Sequence, residues 1–160
     1  MFRKLLTTRS LCLSAIIAAL YAALTLLLAP LSYGAIQCRI SEAMTLLPLL
    51  LPQAIPGLFA GCLVANLYTG MLTDVIFGSL ATLIAAVGTY LLRKKPLLAA
   101  LCPIVSNGVI VGLVLSLTQG LPLALTMLEV AVGETAAVVL GYFILLPAVR
   151  RILPNLSRFM

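Results

Sequence analysis

The chain has four carboxylates in all, and two of them, Glu129 and Glu134, lie inside one long apolar block, residues 122–149. A carboxylate in such a block is expensive to keep and by default marks a substrate, ion or proton site. The other two, Glu42 and Asp74, stand at the edges of further apolar blocks, with Arg39 three residues before Glu42. Asn66 and Asn107 add amide groups that both donate and accept hydrogen bonds. Arg39, Glu42, Asn66, Asp74, Asn107, Glu129 and Glu134 are therefore the candidate binding residues. Plainer roles stand beside this one. Arg39 and Glu42 could form a surface ion pair of little energetic worth. Asp74, following Thr73, could serve only to stabilise a helix start, and Asn107 could be interhelical glue. Glu129 and Glu134 are five residues apart, about 140° around a helix. They share one cavity only if it is wide or one of them turns to a neighbouring helix.

Other chemistry is excluded by what the chain lacks. It contains no His, so His-based triads, zinc-protease sites and imidazole metal centres are ruled out. Cys12, Cys38, Cys62 and Cys102 form no CxxC motif and read as small apolar packing residues. No GxxxxGK[ST] loop occurs, so any ATP hydrolysis by that route belongs to another subunit. No cofactor and no metal are expected.

The elements that must position these residues follow from composition. Of 160 residues 63% are apolar and 9% charged, with a mean hydropathy of +1.24; an ordinary soluble domain is about 45–50% apolar and about 25% charged. A single globular core of this size cannot bury so much apolar sequence. A soluble enzyme and a nucleic-acid-binding domain are excluded, and the chain reads as an integral membrane protein.

A crossing helix needs about 20 apolar residues. Blocks 11–29, 72–92, 97–118 and 122–149 each supply one, with Pro30 closing the first and the turn Gln119-Gly120-Leu121-Pro122 separating the last two. The opening Arg3, Lys4 and Arg9 resemble a signal peptide, but the apolar stretch is long for one and no small-residue cleavage site follows. It is read as an uncleaved first span. Block 41–70 suits neither one span nor two full ones. The basic clusters Arg3/Lys4/Arg9, Arg93/Lys94/Lys95 and Arg150/Arg151/Arg158 all belong in the cytoplasm by the positive-inside rule. An even number of crossings must then join the first two clusters, so block 41–70 supplies two or none. Pro48, Pro52 and Pro56 let it turn around Gln53, giving two short or tilted helices near 41–52 and 55–70; a re-entrant hairpin is the alternative.

The expected fold is an all-α membrane protein, one domain over 1–160 with six transmembrane helices and both termini cytoplasmic. No internal repeat or soluble domain is seen. In that topology all four acids and Arg39 fall between the outer face and the midplane, Glu129 about 10 Å and Glu134 about 18 Å deep at the α-helical rise. The pattern describes one polar pocket opening outward. On the first helix Ala15, Ala19 and Ala23 repeat every four residues with Ala18 and Ala22 beside them, a spacing that lets another helix approach closely, either within the bundle or from a partner.

Several segments resemble one family across nearly the whole chain. They are Arg39-Ile40-Ser41-Glu42-Ala43 leading into Thr45-Leu46-Leu47-Pro48, and the run from Ala65-Asn66-Leu67 through Asp74-Val75-Ile76-Phe77-Gly78 to Ala81-Thr82-Leu83. Asn107-Gly108-Val109-Ile110-Val111-Gly112 and Val130-Ala131-Val132-Gly133-Glu134 complete the set. Their order and spacing resemble the QueT family. The resemblance implies the substrate-binding (S) component of an energy-coupling-factor (ECF) importer for queuosine precursors, in the plasma membrane of a prokaryote. It implies that Ala15, Ala19 and Ala23 contact a transmembrane coupling subunit, and that two partner ATPases supply the missing phosphate loop.

A precursor such as aminomethyl-deazaguanine offers a guanine edge rich in N–H donors and a cationic amine. Glu134 is the candidate acceptor for that edge and Glu129 for the ammonium, since charge-assisted bonds are about twice as strong as neutral ones. Asn107 would meet the carbonyl and ring nitrogen, and Tyr33 or Tyr68 would stack on the ring. The competing reading is a stand-alone proton-coupled carrier of a small organic cation. An intramembrane enzyme is disfavoured by the lack of His and the single Asp.

Overall fold

Thr7 starts the first helix: its hydroxyl oxygen accepts the Ser10 N–H at 3.3 Å, an N-cap that satisfies one of the orphan donors of the first turn. A computed structural model describes residues 7–32, 38–68 and 70–157. In chain order these form α1 (Thr8–Leu27), the single turn α2 (Ala29–Ser32), a 3₁₀ segment (Ile40–Leu49) and α3 (Ala54–Leu67). A π segment (Asp74–Gly78) then runs into α4 (Ser79–Leu91), followed by α5 (Pro96–Gln119) and α6 (Leu123–Leu140). A second π segment (Gly141–Leu145) leads into α7 (Leu146–Ser157). No strand occurs among the described residues.

Four stretches are long and apolar enough to cross a membrane: Thr8–Leu27, Asp74–Leu91, Pro96–Gln119 and Leu123–Pro154. Ile40–Leu49 and Ala54–Leu67 are shorter apolar helices. The expected pair near 41–52 and 55–70 is therefore present, but the first member is 3₁₀ rather than α. Pro48 lies inside it, and in an α-helix its ring would clash with the Met44 carbonyl. The last helix also runs further than the block 122–149, continuing through the second π segment. Arg9, Arg93, Lys94, Lys95, Arg150 and Arg151 are all exposed; Arg3, Lys4, Arg158 and Tyr33 lie outside the described residues.

The turn between α5 and α6 has a local cause. Gly120 ends α5 in the left-handed conformation at φ 68°, which glycine adopts without a Cβ penalty, and Pro122 immediately precedes α6. At the other end of α5, Pro96 stands in the first turn, where its missing N–H costs nothing.

Close backbone approach decides how α1 meets α3. A Cβ at Gly57 would lie 2.6 Å from the Ser14 carbonyl oxygen, and one at Gly61 would lie 2.7 Å from that of Ala18. Gly57 and Gly61 thus form a G-x-x-x-G face seated on Ser14, Ala18 and the neighbouring Tyr21, the close packing that small residues allow between membrane helices. Ala15, Ala19 and Ala23 lie on the other side of α1 and are exposed. Two four-residue stripes of small side chains therefore share one helix, and among the described residues only the inner one is packed against another helix.

The 3₁₀ segment is the centre of the fold: every residue from Ser41 to Pro48 is buried, and it packs against α1, α3, α4, α5, α6 and the second π segment. Ile17, Met44, Leu47, Leu51 and Leu58 build the main apolar core on its α1–α3 side. Leu46 joins Val138 and Leu146 on the other side. The outside is conversely aliphatic, with Leu27, Leu72, Leu97, Leu117 and Phe143 each at least 70% exposed, the surface expected of a chain solvated by lipid.

Candidate functional site

Glu42 has no access to solvent. It is 1% exposed, which removes the reading of Arg39 and Glu42 as a surface ion pair, and Arg39 is buried with it. Its Oε1 accepts a bond from the Tyr21 hydroxyl of α1 and another from Thr82 Oγ1 of α4 at 3.0 Å. Its Oε2 is buried with no hydrogen-bond partner. The carboxylate thus ties α1 to α4 through one oxygen and presents the other inward.

Glu134 repeats the arrangement from α6. Its Oε1 accepts from Asn107 Nδ2 of α5 at 2.9 Å, while its Oε2 and the Asn107 Oδ1 are buried without partners. Arg39, Glu42, Gly78, Thr82, Asn107 and Glu134, with Val111 and Val130, line one small cavity. Its free space is about 10 Å³, on the order of a single water. A ligand the size of a fused bicyclic ring enters only as the surrounding helices part. Unsatisfied buried oxygens cost about 1–3 kcal/mol each, more when charged, so this convergence is an acceptor-rich site that gains when a donor-bearing ligand fills it.

Cys62 does more than pack. Its sulfur, fully buried on α3, accepts from Asn66 Nδ2 at 3.3 Å and lies 3.3 Å from Thr82 Oγ1 and 3.7 Å from Arg39 Nη1. Asn66 also donates to the Asp74 carbonyl at 2.9 Å, holding the first π segment. A Cβ at Gly78 would fall 2.8 Å from Asn66 Nδ2, so a larger residue there would push the Asn66 amide aside. π-Bulges are frequent at functional sites. Cys38 lies against α6, its Sγ donating to the Gly133 carbonyl at 3.6 Å. Burial, and then the Glu134 carboxylate, raise its thiol above the ordinary value, keeping it protonated and a weak nucleophile at neutral pH.

Of the seven expected residues, four line the cavity: Arg39, Glu42, Asn107 and Glu134. Asn66 stands one layer behind, through Cys62. Asp74 is half-buried in the first turn of its segment, where an acid also suits the helix dipole. Glu129 is half-buried and is not among the cavity residues; the 140° separation leaves Glu134 facing inward without it. Tyr68 is 72% exposed, away from the cavity. Sequence reasoning did not find Tyr21 and Thr82, since a Tyr and a Thr at interior helix positions carry no signal until their partner is known. Two larger hollows, between α4 and α5 and between α1 and α7, are almost wholly aliphatic and offer nothing that could recognise a polar ligand.

Comparison with known proteins is consistent over most of the chain. A family model described as QueT transporter matches residues 11–149. The chain is 32% identical over 147 residues to a protein of Lactococcus lactis subsp. cremoris (strain MG1363) named queuosine precursor transporter QueT, covering 82% of this chain and 86% of that one. No solved structure matches.

Proposed function

This chain belongs to the QueT transporter family, and from that premise we propose that it is the substrate-capture (S) component of an ECF-type importer. It binds a queuosine precursor, a deazaguanine, in the cavity between Glu42 and Glu134 and works in the plasma membrane of a prokaryote. The observation that carries this is the pair of buried carboxylates with one unpartnered oxygen each. Glu134 accepts from the N–H donors of the guanine-like edge, and Asn107, already bonded to Glu134, presents its free carbonyl oxygen to the ring. Calorimetry on the purified protein with a deazaguanine tests the reading directly. Saturable 1:1 binding supports it, and no heat at millimolar ligand sinks it.

The topology that goes with this role has six crossings and both ends in the cytoplasm. Exposed Arg93, Lys94 and Lys95 between α4 and α5, and Arg150 and Arg151 on α7, support it through the positive-inside rule. A Lys94→Cys variant lacking the native cysteines should stay unlabelled by an impermeant maleimide in whole cells and react after permeabilisation. Labelling in intact cells would invert the topology.

The partners are a transmembrane coupling subunit and two ATPases. The exposed stripe Ala15, Ala19 and Ala23 supports that contact, because the chain's own packing already uses Ser14 and Ala18. Ala19→Leu should reduce co-purification with the ATPase subunits and uptake in cells, while the isolated protein still binds substrate. Loss of binding and folding together would mean that the stripe packs internally. A proton-coupled carrier acting alone would instead move substrate in proteoliposomes with no other subunit present.

A further inference from the structure

The cavity holds two carboxylates, Glu42 and Glu134, and one guanidinium, Arg39. We propose that these three groups fix the net charge of the filled site, so that a bound monocation and a bound neutral analogue leave the cavity differing by one proton. This rests on the deazaguanine reading above and adds to it the charge rule by which the site selects.

With both glutamates ionised, Arg39 leaves one negative charge uncompensated inside a cavity that admits about one water. Segment 33–37, Tyr-Gly-Ala-Ile-Gln, can add no formal charge of either sign other than by a phenol. Among the described residues the other titratable groups are Tyr21 on α1 and Cys62 on α3 beside Glu42, Asp74 toward Arg39 and Cys38 beside Glu134, while α5 presents the amide Asn107. None of these is a second cation. A buried charge without a partner costs several kcal/mol, so the filled site settles at one net charge whichever ligand is in it. Any charge that Asp74 carries is common to both ligands and cancels in the comparison.

Glu42 is the group placed to meet the cation. Its Oε1 is occupied by Tyr21 and Thr82, which leaves Oε2 as an acceptor with a fixed direction. Glu134, held by Asn107, is paired with the amide suited to a planar edge. The ammonium role expected of Glu129 therefore passes to Glu42.

The test uses the intact protein and two deazaguanines of the same ring system, one aminomethyl-substituted and one cyano-substituted. Calorimetry in buffers of different ionisation enthalpy gives the protons taken up on binding. The two ligands should differ by about one proton, the cyano compound taking up more, and its affinity should gain up to about tenfold per unit fall in pH relative to the amine. Glu42→Gln keeps an amide oxygen for Tyr21 and Thr82 but removes the charge. It should weaken the amine by about tenfold or more relative to the cyano ligand. Equal proton uptake by both ligands in the wild-type protein overturns the charge rule even if the variant does not fold. Failure of both ligands to bind wild-type protein overturns the deazaguanine reading and the charge rule with it.

Discussion

Glu134→Gln is expected to weaken deazaguanine binding by about tenfold or more, with the fold intact, since a misplaced donor in a buried polar contact costs about 1–3 kcal/mol. The amide oxygen still accepts from Asn107, whose Nδ2 lies 2.9 Å from Oε1. The change falls on Oε2, where an acceptor-only oxygen becomes an N–H₂ that points donors at donors. The unliganded protein should respond in the opposite sense. Glu134 Oε2 is buried without a partner, and neutralising it should leave the melting temperature unchanged or raise it, the usual trade between stability and a poised site. Titration calorimetry and a thermal melt on the same sample decide the matter. A variant that melts much earlier and binds as the parent does would make Glu134 a structural residue.

The second large effect is structural. Gly61→Leu should separate α1 from α3 and lower stability by more than the ~1–3 kcal/mol typical of an overpacked core. Its first side-chain atom would stand 2.7 Å from the Ala18 carbonyl oxygen and 3.0 Å from Ala18 Cα, and backbone atoms cannot rotate out of the way. Tyr21 Cβ, 2.9 Å from the same point, would be displaced too. The bond from Tyr21 to Glu42 would then be lost and substrate binding with it. Ala60→Leu, on the exposed side of α3, is the control and should melt near the parent. A Gly61→Leu protein as stable as that control would show that the two helices do not pack as described.

What the sequence discloses here follows from which signals are local. Runs of apolar residues bounded by Pro30, by Arg93-Lys94-Lys95 and by Gly120 mark the long helices, because length, charge and turn chemistry act within a few residues. Pro48 and Pro52 signal a broken element, but not that the result is a buried 3₁₀ segment. That depends on the helices packed around it. For the same reason Glu42 reads from its neighbours as a loop acid near Arg39, while its true setting is made by Tyr21 and Thr82, 21 and 40 residues away. Spacing also could not choose between the two small-residue stripes of α1, which have the same period. The choice is made by Gly57 and Gly61 of α3. Likewise the angle between Glu129 and Glu134 shows that they diverge, but only packing shows which one turns inward.

The tight winding of Ile40–Leu49 has a mechanical meaning. Ten residues rise about 20 Å as a 3₁₀ helix and about 15 Å as an α-helix, so rewinding is a stroke of about 5 Å along the axis. Each residue would also turn about 100° from the last instead of about 120°. Glu42 and Thr45, eclipsed at three residues per turn, would then point about 60° apart. The address of the carboxylate is thus written in the pitch of the segment, and Pro48, whose ring would meet the Met44 carbonyl in an α-helix, keeps that pitch from slipping.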